Sequence, residues 1–566
     1  MNELKEPSLG GLPAEQESAA ITSQSNRLLK HPWLILAIAA LVALITERIF
    51  FDQGVGVQWA IFVALLLLAV GSGLLIERVS LPKRGYLLFI PIIALTTLHL
   101  FRSESFTTVA LILATILCLV WLATSFLHGN WAKFRLRELI SQTFKLIMDA
   151  VSALPIMLIE NLRGSNAVKK DGSIQKSANK TAWAILRGVL ISVPILAIFG
   201  GLLASADAIF SGNLRNLFAW IGDFSFERFL GETILVGFIT YILFGLFSFA
   251  LTKTRQSPQV DPDQPLIKPF LGITEATIVF ASVNLLFLAF LVVQFRYFFA
   301  GESIINPAGL TYSEYAVKGF QELVMVACGV LGLHWLLAGI TRRENKHQKL
   351  LFSVLVTVAI IQVGIILVSA YQRENLYIEA YGFTQSRLVA LVFNVFVGLL
   401  LLAALWMQWR DAFRYQALVL ASLFVIFALT LGVINMDRTV ARLNLVKSMI
   451  NGKLDAAFMA NRLSVDAVPV MFEYYDQKLL PPDLRQKLGK VLACQANFID
   501  QERLKSDPWF AISLPDRAAA RLFEEHAAEL GAFTLEQKTW EDGFIEKGFT
   551  IDDVWIGCNF NYHPLD

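Results

Sequence analysis

Charge is scarce in this chain. Only 17% of its 566 residues are Asp, Glu, Lys or Arg, against 55% apolar, and the mean hydropathy is +0.57. A water-soluble protein has no means of hiding so much apolar surface, so lipid is the solvent for most of the sequence. Cysteine is scarcer still. The four present form no CxxC and no Cys/His ligand spacing, which excludes the common zinc and redox frameworks. No GxxxxGK[ST] offers a phosphate cradle, no HExxH a zinc site and no GxSxG a nucleophile elbow. Gly54 and Gly56 leave only a stray GxG. His526 and Glu529 make one HxxE pair without further ligands, which reads as a solvated helix face. These gaps point to no cofactor and no metal, and they count against most hydrolases. No basic footprint suits nucleic acid. The first 26 residues mix Glu3, Glu6, Glu15 and Glu17 with Ser, Gly and Pro and lack the basic start of a cleaved signal. They read as a disordered cytoplasmic lead, residues 1–30, before an uncleaved anchor.

What the chain has instead is long apolar runs. Eleven are of a length to cross about 30 Å of hydrocarbon: 33–49, 55–76, 86–101, 106–127, 183–203, 229–251, 273–295, 319–340, 350–371, 388–409 and 416–434. The expected fold is therefore all-α, a polytopic transmembrane bundle with a small, mostly helical soluble C-terminal domain. It divides into a four-helix membrane region over 31–130, a basic amphipathic segment over 131–182, a seven-helix region over 183–434 and the tail domain 435–566. Phe134, Leu139, Phe144, Ile147 and Met148 recur at helical spacing in the basic segment, which predicts a helix in the inner interface or one that docks a partner.

Charge gives the crossings a direction. From 435 onward there are 15 Lys+Arg against 20 Asp+Glu, and before it 33 against 26. Alternate loops carry the positive charge: Lys30; Arg78, Lys83 and Arg84; Lys133 to Lys180; Lys253, Arg255 and Lys268; Arg342, Arg343, Lys346 and Lys349; Arg410 and Arg414. The positive-inside rule puts these loops and the N-terminus in the cytoplasm of a cell's inner membrane, and the tail domain outside. Cys494 and Cys558 then sit where disulfides persist, and are candidates for a bridge. Cys118 and Cys328 lie in apolar runs as small buried hydrophobes.

Ionisable groups are costly in lipid, so depth decides what each one means. Arg187, Glu232, Glu275, Arg296 and Glu322 fall near helix ends, where snorkelling explains them. Near the midplane stand amides, Asn284, Gln362 and Asn394, with His334 closer to the cytoplasm. Interhelical hydrogen bonds are their default role. At the outer face Glu314, Lys318 and Glu322 recur every fourth residue. Arg373, Tyr377 and Tyr381 share one helix face with Glu379 and Arg387 nearby, Gly382 stops that helix, and Thr384 is placed to cap the next. Asp437, Arg438, Arg442 and Asn444 follow the last crossing. These residues form a candidate outer polar site under the tail domain. Capping and an aromatic belt account for the same residue types at that depth.

Five stretches carry a family resemblance: RGVLISVPILAIFGGLLASADAIF (187–210), LTYSEYAVKGFQEL (310–323), RENLYIEAYGFTQSRL (373–388), GVINMDRTVARLNL (432–445) and LSVDAVPVM (463–471). In this order they resemble an uncharacterised bacterial membrane family, domain of unknown function 4173, related to 4153, over about 181–521. The resemblance implies a polytopic membrane protein and assigns no activity. Three functions fit: a cell-envelope scaffold or sensor with protein partners at both faces, a small-solute transporter, and a membrane-embedded enzyme with an outward-facing polar site. The uncharged midplane and the large extramembrane mass favour the first. Against transport, Pro194 with Gly200 and Gly201 is the sole candidate break in a helix.

Overall fold

The computed structural model describes residues 29–50, 56–79, 85–125, 136–167, 226–252, 269–299, 320–477, 479–497, 512–539 and 545–558. The expected crossing at 183–203, the basic residues Lys133 and Lys169 to Lys180, and the site candidates Glu314 and Lys318 lie outside these residues, as does the lead up to residue 28.

The membrane part is an all-α bundle. Its helices are α1 (Pro32–Phe50), α2 (Gln58–Glu77), α3 (Phe89–His99, entered through the 3-10 turn Gly85–Leu88), α4 (Ser105–Ser125), α5 (Leu136–Ala167) and α6 (Phe226–Thr252). There follow α7 (Ile273–Phe299), α8 (Phe320–Ile340), α9 (Lys346–Tyr381), α10 (Gln385–Arg410) and α11 (Gln416–Ile434). Ten described helices are long and apolar enough to cross a membrane, and Gly85–His99 is a shorter apolar one. Large apolar side chains such as Leu68, Leu75, Leu285 and Met325 stay exposed on their outer faces. In water that surface is unfavourable, whereas against lipid chains it costs nothing.

Two packed groups share α10. In the first, Ile35 and Ala39 of α1, Ile92 and Leu95 of α3, Leu111 and Ala114 of α4, Phe244 of α6 and Leu431 of α11 form one core. In the second, α9 is the central post between α7, α8 and α10. Its 36 residues reach about 54 Å at 1.5 Å per residue, longer than the hydrocarbon is thick. Phe352, Val356, Val363, Ile366 and Ala370 supply its buried stripe.

All the described basic loops gather at one end of the bundle. There Glu77, the last residue of α2, accepts the main-chain N–H groups of Lys30 (2.9 Å) and His31 (3.0 Å) ahead of α1. Leu271 pairs with Thr341 to tie the start of α7 to the end of α8. Asn345 and Gln348 close a capping box at the start of α9.

Helix α5 covers the segment expected in the interface, and the structure packs it lengthwise against α6. Its start, Leu139, meets Trp121 and Ala417 at the basic end. The end of α6, Leu251, meets Gly73 and Ile35 at that same end, so the two helices run antiparallel. Residues 139–158 of α5 are long and apolar enough to span. The close approach is made by Gly245, where a Cβ would collide with the Ala150 main chain, and by Tyr241, whose hydroxyl donates to the Val151 carbonyl.

The tail domain starts with almost no linker. Only Asn435, in a left-handed conformation at φ 52°, separates α11 from α12 (Met436–Asn451). Short helices follow: α13 (Ala456–Asn461), α14 (Val468–Asp476), α15 (Pro482–Ala496), α16 (Leu514–Glu525) and α17 (Ala527–Leu530). Leu445, Met459, Leu463, Met471, Phe472, Leu488 and Leu492 are their core.

The aromatic-rich end adds an element the helical reading did not contain. It is an antiparallel sheet of β1 (Glu536–Thr539), β2 (Ile545–Ile551) and β3 (Val554–Gly557) in sequential order. Asp552 (φ 49°) and Asp553 (φ 64°) make its tight turn, the geometry that suits the twist of a hairpin. Phe549 and Ile556 point into the helical core, Trp555 donates to Glu546, and Cys558 is bonded to Cys494 of α15 with the Cα atoms 5.5 Å apart. Trp540, Phe544, Phe560 and Tyr562 lie outside the described residues.

Two substitutions probe this packing. Gly245→Ala should force α5 from α6 and cost about 1–3 kcal/mol, read as a lower unfolding temperature in detergent, with no change for Gly237→Ala, where a Cβ meets open space. Replacing Cys494 and Cys558 together by Ser opens a link between residues 64 apart and should destabilise the tail domain by about 2–4 kcal/mol, seen as protease cutting within the sheet.

Candidate functional site

The tail domain is seated on the end of the bundle opposite the basic loops, through the α3–α4 turn, the α9–α10 turn and the start of α12. Three carboxylates are buried in this junction: Glu104 at 2% exposure, Asp466 at 4% and Asp437 at 0%. Each is placed by local chemistry. Glu104 sits just before α4, and its two oxygens accept the Phe106 (2.7 Å) and Thr107 (2.6 Å) N–H groups that no earlier turn can satisfy. Asp466 opens the turn before α14, with Ser464 as its cap, and accepts from the Ser103 (3.0 Å) and Glu104 (3.3 Å) N–H groups across the domain boundary. Asp437 lies in the first turn of α12, where it accepts from the Ser464 N–H at 2.7 Å and from the Gln385 side-chain amide.

The positive partners are fewer. Arg102 donates from Nε to the Gly432 carbonyl at 2.6 Å, which ties the α3–α4 turn to the end of α11, and its charge acts on Asp466. Arg438 is exposed on α12 and feels Arg102 as a like charge. Burial pushes the Asp466 carboxyl above its usual range, with the Ser103 N–H and then Arg102 opposing that rise. For Asp437 burial dominates, Ser464 and Gln385 pull back and the Glu104 charge adds to the rise, so that its carboxyl is pushed up to about 7. An acid tuned to neutrality and shielded from water takes up or releases one proton without leaving its place.

The other predicted outer residues fasten helix ends. Gly382 (φ 86°) stops α9 and donates to the Ile378 carbonyl, and Thr384 caps α10. Asn444 of α12 brackets Phe383, accepting from its N–H (2.9 Å) and donating to its carbonyl (2.8 Å). Lys447 donates to the carbonyls of Ile378 and Glu379, which quiets the negative end of α9. The Arg387 guanidinium lies 4.0 Å over the Tyr377 ring, and Tyr377 and Tyr381 pack 5.1 Å apart. Arg373 is half-buried in that turn, while Glu322 and Arg442 are exposed. Thus Gln385, Arg387, Asp437 and Asn444 come together, and Glu322 stands on a different helix, α8.

At the midplane the amides bind main chain. Asn284 donates to the Leu355 carbonyl, Gln362 to that of Asn284 and Asn394 to that of Leu367. His334 forms a chain with Gln408 (3.0 Å) and Ser353. Among the described residues no group of three His, Cys, Asp or Glu is placed to hold a metal ion.

Sequence reasoning reached Asp437 and missed Glu104, Asp466, Arg102, Gln385 and Ser464. Ser103-Glu104 directly before an apolar run is a capping signal, and Ser464-Val-Asp466 is another, so each was visible as local structure. Nothing in the spacing told that the two caps, more than 300 residues apart, face each other.

The model of a family described as Domain of unknown function (DUF4153) matches residues 89–474, from α3 into α14 and well over half of the chain. The chain belongs to the DUF4153 family. All five stretches that resembled the related family lie within that match, as do Arg102, Ser103, Glu104, Gln385, Asp437, Arg438, Ser464 and Asp466 of the junction. The sheet and both bridged cysteines lie beyond it. No curated protein and no solved structure matches the chain.

The DUF4153 junction has a signed pH dependence. Because the seated Asp437 holds its proton to higher pH than a solvated Asp does, the seated state binds more protons between about pH 4 and pH 7, and seating strengthens as pH falls through that window. Tail-domain unfolding followed from pH 8 to pH 5 should therefore shift to higher temperature, worth up to about 1.4 kcal/mol per pH unit. Asp437→Asn, which is neutral throughout, should make the profile shallower, leaving the part that the raised Asp466 contributes. A profile unchanged by Asp437→Asn counts against this assignment.

Proposed function

We propose that this DUF4153 protein is a cell-envelope scaffold or sensor, in which the tail domain meets a partner and the bundle holds or relays its position. The supporting observation is the junction: a folded domain without a linker, whose buried Asp466 and Asp437 are held by the α3–α4 turn and by Gln385 at the start of α10. Polar groups inside the bundle favour the same reading. Asn284, Gln362 and Asn394 spend their amides on neighbouring main chain, as helix fasteners do, and a solute path would need such groups turned to a passage.

Within this proposal the chain is of the 4173 type and of bacterial origin, and resides in the cytoplasmic membrane. Its basic end and N-terminus are cytoplasmic, its tail domain is extracytoplasmic, and protein partners are met at both faces. The charge of Arg78, Arg342, Arg343, Arg410 and Arg414 at the end away from the tail supports that orientation.

Orientation and function are tested together. Alkaline phosphatase fused after Asp566 should be active, and a fluorescent cytoplasmic reporter at the same place dark. Arg102→Ala with Asp466→Ala should unseat the tail at unchanged protein level and reproduce the envelope-stress profile of deleting the gene. A deletion phenotype confined to uptake of a solute, and unaffected by unseating, would replace the scaffold with a transporter.

A further inference from the structure

Helix α12 presents two unlike halves. Asp437, Val440, Ala441, Leu445 and Ser448 are fully buried against the tail core and the junction. On the opposite side Arg442, Val446, Met449 and Ile450 recur at the spacing of one helix face, with Arg438 one turn ahead and Lys453 just past the Gly452 cap, and all six are exposed. Ile450 is 83% exposed, unusual for an isoleucine that only water would meet.

Position gives this face its surroundings. Asn435 alone separates α12 from the last membrane helix, and Asn444 and Lys447 hold the middle of α12 on the end of α9. The helix, about 24 Å long at 1.5 Å per residue, therefore stays at the level where α9 and α11 leave the bundle. The neighbouring ends are exposed and apolar or amphipathic too: Val433 at the end of α11 and Tyr381 at the end of α9. The stripe thus stands beside the exposed ends of two membrane helices. Its charge has one sign, since no Asp or Glu occurs from Arg438 to Leu454.

We propose that the exposed face of α12 is a lipid-binding surface, with Val446, Met449 and Ile450 resting in the headgroup boundary and Arg438, Arg442 and Lys453 pairing with anionic phospholipid. An amphipathic helix with a basic margin binds in this way, its apolar side entering the acyl boundary and its cations meeting phosphate. Because α12 also carries Asp437 and Asn444, a change in the bilayer surface bears directly on the seat of the tail domain. The inference holds whichever side of the membrane the tail occupies, so it does not depend on the function proposed above.

The test uses the full chain in lipid nanodiscs, with Cys118 and Cys328 replaced by Ser so that the bridged Cys494 and Cys558 remain the only native cysteines. A fluorophore is placed by Val446→Cys or Ile450→Cys, and by Glu473→Cys on the exposed side of α14 as the control. Quenching by lipids carrying a nitroxide near the headgroup should be at least about twofold stronger at 446 and 450 than at 473. It should rise further when phosphatidylglycerol replaces part of the phosphatidylcholine. Replacing Arg438, Arg442 and Lys453 together by Gln should abolish that rise, each cation being worth about fivefold in partition to an anionic surface. Should the cysteine variants fold poorly, amide exchange of residues 443–453 in the unmodified protein replaces them, and protection should increase with phosphatidylglycerol. Quenching equal to that at 473, exchange indifferent to lipid charge, or a signal that follows protein density within the disc, as contact with a second copy would give, overturns the proposal.

Discussion

Asp466 and Asp437 leave water only because main-chain N–H groups of other elements are aimed at them, and the fit of the tail domain to the bundle rests on that exchange. A carboxylate moved from solvent loses several kcal/mol of hydration unless donors replace it. Asp466 recovers this from Ser103 and Glu104, two N–H groups that would otherwise be stranded before the first turn of α4. The bond therefore serves both sides: the bundle loop needs an acceptor, and the tail domain needs a donor. Neither part closes its own hydrogen-bond account without the other, which is why the domain has one seat on the bundle.

The same accounting runs through the membrane part at lower charge. Glu77 satisfies the start of α1 from the end of α2, Lys447 satisfies the end of α9 from outside the membrane, and the midplane amides reach main-chain carbonyls on neighbouring helices. Water is absent there to make up a missing bond, so a polar side chain in lipid is most economically spent on its own protein. Asp437 differs from all of these. Its bonded partners are neutral donors, and the Glu104 charge nearby adds to the effect of burial. Burial sets its proton affinity near neutrality, and Asp466 is raised beside it against the pull of Ser103 and Arg102.

Hydropathy read the membrane helices directly because lipid imposes length and apolarity on every crossing, whatever the fold around it. Local punctuation was equally legible: Gly382 ends α9 and Thr384 starts α10 as their residue types require. Two kinds of feature escaped. Helix α5 looked interfacial because its apolar residues recur on one face among charges such as Lys145 and Asp149, yet Gly245 on α6 offers a groove into which Ala150 fits, a property of the partner helix. The sheet escaped because Ile545–Ile551 alternates too weakly, with Glu546 and Lys547 adjacent and Gly548 inside; its Asp552-Asp553 turn was the signal to read. The junction was legible as separate caps and hidden as a pair, since which caps face each other is decided by the path of the whole chain.

The extent of the family match separates two layers of the tail domain. It stops at residue 474, inside α14, so the seat lies inside it: Arg102, Glu104, Gln385, Asp437, Ser464 and Asp466 all fall within the match, together with α12. What lies outside is the far layer, α15 onward, with the sheet that packs on it and the Cys494–Cys558 bond that pins the two together. A covalent pin between residues on separate elements is worth having where the hydrophobic core is thin, and a three-stranded sheet covered by a few short helices is such a place. The attachment to the bundle thus lies within the family match, and the covalent pin of the sheet lies beyond it.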